Sequence, residues 1–357
     1  MNLELDDEQA ALRDTVRRYL AEKASLATYV RPRLDDEVAG ADQVWRGLAA
    51  MGVTGLLVPE IFDGAGMTMV EAGVVAEELG AALYPGPWLS TAVAATRALV
   101  RTDADKTAAG LLTGIAKGST IATLGPLAGP RPTAIDGSTL RGTVTGLPDA
   151  DDADVVLVFA AEGDGVGLYS VDTSSVGVAM TPCRHVDPTR MLADVELDDV
   201  SAQRLASATD QAIRAIVDDV VIAYAADALG AATTVMNLAI EYAKVRKQFD
   251  QPIGSFQAVQ HLCVDMYEAV ELARSGVLHA LWAADAAEPA EHHLAALRAK
   301  AFAGQLTKVG DTAIQVFGGI GFTWEHDAHL YLKRLLGWSG FLGSSDRYLE
   351  EVGRGLQ

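Results

Sequence analysis

The sequence has 357 residues, 50% of them apolar and only 6% aromatic, and it carries a formal net charge of −20. That length supports two or three cores rather than one simple domain. So acidic a chain repels nucleic-acid backbones and anionic membrane surfaces, and any anionic ligand needs a local cluster of Lys and Arg.

Residues 1–118 read as a helical domain. The opening Met1-Asn2-Leu3-Glu4-Leu5-Asp6-Asp7 is acidic where a signal peptide is basic. Asp6 can cap a helix whose apolar positions Ala10, Leu12, Val16, Tyr19 and Leu20 recur at helical spacing. Further helices fit 41–51, 68–83, the stretch after Pro85-Gly86-Pro87, and 103–116. Residues 119–205 change character. Short apolar runs at 120–124, 155–159 and 167–171, separated by Gly, Asp and Pro clusters, predict a middle β domain, an antiparallel barrel or sandwich. Residues 206–357 return to helix. A Pro-free run covers 210–244, and after Gln251-Pro252-Ile253-Gly254 helices fit 255–286, 289–316 and 325–336. Long consecutive helices with short breaks predict a bundle. The whole is a mainly α chain with a β middle domain.

Several conspicuous residues have plain readings. Cys183 and Cys263 stand far apart without metal or redox spacing, as suits a reducing cytoplasm. No apolar run approaches the ~20 residues of a membrane span, so the expectation is a soluble cytoplasmic chain. His326 and His329 have i, i+3 spacing but no third ligand, and read as surface or interface histidines. Glu291-His292-His293 reads as a solvated helix start, 149–154 as a turn between strands, and Glu268 and Glu271 as solvent-facing.

Two C-terminal segments carry more information. Val245-Arg246-Lys247-Gln248-Phe249 closes the long helix. Taken alone, its cations could simply complement the helix macrodipole and Phe249 could anchor a core. Gln315-Val316-Phe317-Gly318-Gly319-Ile320-Gly321-Phe322 ends a later helix with three Gly in four positions, more than a C-cap needs. It is not the Gly-x-Gly-x-x-Gly dinucleotide pattern.

Together with Gln251-Pro252-Ile253-Gly254-Ser255-Phe256-Gln257-Ala258, and with Pro59–Met67 and Val75–Gly80 near the start, these segments resemble the acyl-CoA dehydrogenase family. The resemblance covers essentially the whole chain. It implies an N-terminal helical domain (1–118), a central β domain (119–205) and a C-terminal four-helix bundle (206–357) that holds FAD and an oligomer interface. It also implies that Arg246, Phe249, Gln315, Gly318 and Gly319 contact the ADP half of a neighbouring chain's FAD, with Gln248 and Ile253 as further contacts. Guanidinium pairing with pyrophosphate suits that role.

The family pattern fails at the catalytic base. α,β-Dehydrogenation removes a proton α to a thioester carbonyl, so a carboxylate must face the substrate. Aligning Gly343-Ser344-Ser345 with the family's Gly-Thr-Ser triplet puts Leu342 at the base position. The alternative family position, 26 residues before Arg246, is Val220. Asp218 and Asp219 lie near it, but one helical step is a ~100° rotation. The flavin-ring loop is replaced by Leu124-Gly125-Pro126-Leu127-Ala128-Gly129-Pro130, and the Trp-containing strand is unrecognisable near 144–148. The resemblance therefore implies the base-less subunit of an α2β2 FAD-dependent acyl-CoA dehydrogenase. Its partner is a homologous catalytic subunit, its substrate a bulky or branched acyl-CoA, and its acceptor an electron-transferring flavoprotein. Two alternatives remain open: a self-sufficient homo-oligomer with a displaced Asp or Glu base, and a cofactor-free structural paralogue.

Overall fold

The structure, a computed structural model, describes residues 4–34, 42–104, 106 and 108–355. The N-terminal part contains α1 (Asp7–Lys23), a π-helical turn leading into the single-turn α2 (Arg31–Arg33), α3 (Gln43–Ala50) and α4 (Met69–Ala81). A second π-helical segment, Leu89–Ala95, runs into α5 (Thr96–Arg101), and α6 spans Ala109–Ala116. Two starts are fixed by reciprocal capping boxes, Asp6 with Gln9 and Thr68 with Glu71. The helix expected over 103–116 is shorter than its pattern suggested; positions 105 and 107 lie outside the described residues.

The middle strands are β1 (Ala122–Gly125), β2 (Thr133–Ile135), β3 (Thr139–Pro148), β4 (Val155–Glu162), β5 (Gly165–Asp172), β6 (Val178–Pro182), β7 (Leu192–Ser201) and β8 (Gln203–Ser207). Among the described residues these form one sheet in the order β6-β7-β3-β2-β4-β5-β8. It is not wholly antiparallel as expected: β1 runs parallel to β4, and so does β2 where Thr133 meets Ala161, because the connection from β1 to β2 does not reverse the chain. Both sheet faces are buried at β4, whereas β3 and β7 alternate buried and exposed residues. Along β4, Val156 and Val158 face one core while Leu157 and Phe159 face the other, as a period of two requires.

The C-terminal part holds α7 (Asp210–Val245), a short hairpin of β9 (Lys247–Gln248) and β10 (Gln251–Pro252), α8 (Gln257–Ala286), α9 (Pro289–Ala303), α10 (Leu306–Phe317), α11 (Ala328–Gly340) and α12 (Ser345–Arg354). α7 is the central post, and α4 crosses it backbone on backbone. A Cβ on Gly80 would fall 1.9 Å from the Asp227 carbonyl oxygen, and one on Gly230 would fall 1.8 Å from that of Glu77. The single helix expected over 289–316 is broken. Gly304 ends α9 where a Cβ would sit 1.7 Å from Ser345 Oγ, so the break admits the start of α12. α12 itself was not anticipated.

Candidate functional site

A cavity of about 420 Å³ lies between the sheet and the helical bundle. The end of β3 (Gly146, Pro148), the segment from His185 to Leu192, α7 (Tyr224, Asp227), α11 (Arg334 to Gly340) and the following Phe341 and Leu342 line it. Leu342 therefore faces a cleft, held at φ +55° in the turn between α11 and α12. Beside it, Phe341 stacks on Tyr224 with ring centroids 4.3 Å apart. On the sheet side, a Cβ on Gly125 would come within 2.7 Å of Leu147 Cδ1, so the end of β1 is packed directly against β3.

The cleft floor is an ion cluster. Arg334 places Nη1 3.0 Å from both carboxylate oxygens of Asp227 and Nε 2.8 Å from Asp187 Oδ2. Its Nη2 donates to Thr189 Oγ1 at 2.6 Å. Arg190 Nη2 donates to Asp227 Oδ2 at 2.7 Å. Asp187 Oδ1 accepts from Thr189 N and Oγ1 at 2.9 and 2.6 Å. Asp187 and Asp227 are the carboxylates among the described lining residues, and both are committed to guanidinium groups.

The other family position for a base, Val220, is 1% exposed and packs in the core between sheet and bundle. Its acidic neighbours are committed too. Asp219 is fully buried, 2.6 Å from Arg97 Nε, 2.5 Å from Arg101 Nε and 3.1 Å from His292 Nε2. Although burial opposes ionisation, the Arg97 and Arg101 guanidiniums and the hydrogen bond from His292 hold its carboxyl well below the usual range. Asp218 pairs with His293 Nδ1 at 2.9 Å; burial pushes its carboxyl up and the imidazole draws it back. The reading of Glu291-His292-His293 as a solvated helix start is thus corrected. His292 is 4% exposed and points inward, because the buried Asp219 needs cationic or hydrogen-bonding neighbours. His329 is likewise buried, edge-on to Trp324 with centroids 4.7 Å apart. Among the described residues no group of three or more His, Cys, Asp or Glu could hold a metal ion.

The second candidate region is the far end of α7. Arg246 is its C-cap, donating its backbone N–H to Tyr242 O at 2.9 Å and accepting from Ile253 N at 2.8 Å. Its side chain is exposed and has no hydrogen bond or ion pair among the described residues. Phe249 and Asp250 form the hairpin turn at φ +54° and +63°, two successive left-handed residues as a type I′ turn demands. The Phe249 ring is 87% exposed, so it anchors no core of this chain. Gln248 is exposed, its Nε2 donating to Lys247 O at 2.9 Å, and Ile253 is half-buried against the bundle.

Tyr242 brings the end of α10 to this place, its ring 5.0 Å from that of Phe317. There Gln315 is exposed and Gly318 adopts φ +65°, ψ −144°, a conformation essentially reserved for glycine. Added Cβ atoms on Gly318 or Gly319 would meet nothing within 4 Å, whereas one on Gly321 would come within 3.0 Å of Phe317 Cβ. Gly321 is small because this chain packs against it; packing in this chain makes no such demand of Gly319. Phe322 and Trp324 follow, 69% and 60% exposed.

The two ends of the chain match family models for the acyl-CoA dehydrogenase N-terminal domain (residues 6–119) and C-terminal domain (residues 217–357). The acyl-CoA dehydrogenase IpdE2 of Mycobacterium tuberculosis is 33% identical over 97% of this chain and 96% of its own length. The chain belongs to the acyl-CoA dehydrogenase family. This family comprises FAD-binding oxidoreductases, and one solved relative, a glutaryl-CoA dehydrogenase from Mycobacterium smegmatis, is in complex with FADH2 (21% identity, TM-score 0.86, covering 99% of this chain and 95% of that one). Another family member, FadE34 of M. tuberculosis, is 36% identical over 97% of this chain, but the chain spans only 47% of it. The acyl-CoA dehydrogenase fold is shared with a Tcur3481-Tcur3483 steroid ACAD variant at 30% identity and TM-score 0.88, covering 98% of this chain and 97% of that one. It is shared also with the ChsE4-ChsE5 complex of M. tuberculosis at 25% identity and TM-score 0.91, covering 100% and 99%. No helix among the described residues is long and apolar enough to cross a membrane.

The sequence reading missed Tyr224, Arg190, Asp227 and Arg334. Arg190 follows a Pro-Thr in a loop and the others sit inside helices, with no spacing to mark them. Phe341, adjacent to Leu342, was the one accessible signal.

Proposed function

We propose that this chain is the base-less subunit of a two-subunit, FAD-dependent acyl-CoA dehydrogenase, completing the cofactor site of a homologous catalytic partner. The observation that carries the reading is the pair of apolar residues at the two base positions: Leu342 in the cleft and Val220 in the core. A leucine cannot take the α-proton. The displaced-base alternative meets Asp218, Asp219, Asp187 and Asp227, all held by cationic neighbours.

The residues at the end of α7 fit the dinucleotide half of FAD. An exposed guanidinium without a partner among the described residues suits pyrophosphate, and the open space over Gly318 and Gly319 admits a close backbone approach. The exposed Phe249 ring and the Gln248, Ile253 and Gln315 side chains stand around them. The chain's own cleft fits a flavin ring poorly, since the Tyr224–Phe341 stack and the Arg190–Asp227–Arg334 cluster sit there. We therefore assign the contribution in trans: this chain's Arg246 region serves the FAD of its partner. When bound, FAD accepts the hydride leaving the β-carbon of the CoA thioester. An electron-transferring flavoprotein is the proposed acceptor, a bulky or sterol-derived acyl-CoA the proposed substrate, and the cytoplasm the proposed location. The likeness to the steroid ACAD and to the ChsE4-ChsE5 complex supports both the bulky substrate and the two-subunit assembly.

The test is expression alone and with the partner subunit, followed by FAD quantitation and turnover. The chain alone is expected to be poorly flavinylated and inactive, and the complex yellow and active. Robust turnover by the chain alone overturns the reading, and a colourless complex favours a purely structural role.

A further inference from the structure

Hydrogen-bond donors and acceptors in the 420 Å³ cleft do not balance. Its carboxylates each face a cation, Asp227 two guanidiniums and Asp187 that of Arg334 with Thr189 donating to Oδ1, although Asp187 Oδ2 makes the ion contact without an aligned hydrogen bond. These acids are thus paired. Its donors are not. Arg190 is nine-tenths buried and gives one N–H to Asp227; its other N–H groups find no acceptor among the described residues. Its guanidinium lies 5.4 Å over the Tyr224 ring, and the Tyr224 hydroxyl also lacks a hydrogen-bond partner there. A cavity whose carboxylates face cations and into which Arg190 and Tyr224 bring spare donors is complementary to an oxygen acceptor. Much of the remaining wall is apolar: Val186, Leu192, Leu336, Trp338, Phe341 and Leu342. Few polar groups on an otherwise apolar concave wall is the general pattern of a small-molecule site, and the volume falls in its range.

Geometry favours a carboxylate over a neutral carbonyl, because the unused N–H groups of one guanidinium can meet two oxygens at once. Arg190 shares its one carboxylate partner with Arg334. Two more acids lie in its field: Asp187, which Arg334 pairs, and Asp149, which is buried behind the wall and hydrogen-bonded by Ser90 Oγ at 2.6 Å. Burial raises that carboxyl to about 7, so it gives Arg190 less than a full counter-charge at neutral pH.

We propose that this cleft, having no base, binds an apolar carboxylate, with Arg190 and Tyr224 taking the carboxyl group and the hydrocarbon lying along Leu336, Trp338 and Leu342. The proposal rests on the reading that this cleft performs no dehydrogenation, and its test uses neither CoA nor turnover, so the two fail separately. The assembled complex is titrated calorimetrically with decanoate below its micelle concentration, and in parallel with decylammonium and 2-undecanone. Saturable decanoate binding is expected, tighter than either analogue. Tyr224→Phe, which removes only the hydroxyl, is expected to weaken it about 3- to 10-fold. Arg190→Gln is expected to weaken it by at least about 10-fold. Because Arg190→Gln disturbs a buried ion pair, Leu342→Trp serves as the second variant: it fills the cleft from a turn and is expected to abolish binding while the melting temperature holds. Decylammonium or 2-undecanone binding as tightly as decanoate overturns the proposal. So does decanoate affinity that is unchanged in both Tyr224→Phe and Leu342→Trp, or no saturable binding at all.

Discussion

Replacing Arg246 by Ala separates a cofactor contact from a helix cap. Arg246 holds its place through backbone groups alone, donating to Tyr242 O at 2.9 Å and accepting from Ile253 N at 2.8 Å, and both bonds survive the substitution. Its guanidinium is exposed with no partner among the described residues, so the folded chain loses no contact. Stability should change by less than about 0.5 kcal/mol, as for other surface substitutions. A charge-assisted hydrogen bond to pyrophosphate is worth roughly 1.5–3 kcal/mol, so FAD affinity of the assembled complex should fall about 10- to 150-fold. Arg246→Lys keeps the charge but not the planar fork and should fall between. FAD per complex after exhaustive dialysis, measured beside a melting curve, reads both quantities. Full flavin retention with a lowered melting temperature refutes the assignment, because a cation that only complements the helix macrodipole behaves that way.

Leu342→Glu places a carboxylate in the cleft, yet turnover by the chain alone should stay absent, since Tyr224, Phe341 and the ion cluster still occupy the flavin-ring side; measurable acyl-CoA oxidation would show that side to be functional. Asp219→Asn leaves the buried Arg97 and Arg101 without their full counter-charge and should cost about 3–5 kcal/mol in urea denaturation; a well-folded variant complex with no turnover would instead favour a displaced base. Lys300 is fully buried, donates to Trp338 O at 2.6 Å and has burial pull its ammonium down to about 7. Its folded value lies below the unfolded one, so the unfolded chain binds the extra proton between about pH 7 and 10.5 and stability should rise with pH across that window. The carbonyl and the Trp338 ring at 3.6 Å offset part of the cost. Lys300→Met should therefore stabilise the chain by roughly 1–3 kcal/mol at pH 6 and flatten that pH dependence; a less stable variant with an unchanged slope would contradict this.

The helical pattern was legible wherever one face was apolar and the start was capped, as at Asp6 and Thr68. It misled at Gly304, where the break depends on Ser345, a residue 41 positions later in the chain. The strand runs were legible as strands, but the parallel pairing of β1 with β4 was not, because alternation reports burial and not direction. At the candidate site, Leu342 and Val220 could be singled out by offset from the family motifs. The cluster of Arg190, Asp227 and Arg334 could not, since it joins a loop and two helices spaced 37 and 107 residues apart. His292 was misread for the same reason. Its neighbour Asp219 lies in another helix, and a His-His pair beside Glu and Pro gives no local sign of being buried.

The two ends of α7 are under opposite constraints, and that contrast argues for assembly. Along the first half, Asp218, Asp219 and Asp227 are buried and each is compensated within the chain. Burying a charge is costly unless it is paired, so these acids are committed to holding α7 against its neighbours and are poorly placed for proton transfer. At the C-terminal end Lys244 pairs with Glu241, but Arg246 has no such partner among the described residues. Phe249 holds a left-handed backbone conformation, uncommon for a bulky residue, and exposes 87% of itself. Arg246 points its charge at solvent. Strain of this kind costs about 1–3 kcal/mol per residue and persists where function uses it. An exposed phenylalanine on the same hairpin as an arginine with no partner among the described residues returns that cost only when another surface covers it. Such a surface needs an anion for Arg246 and an apolar or planar face for Phe249, and a dinucleotide held on a partner subunit supplies both.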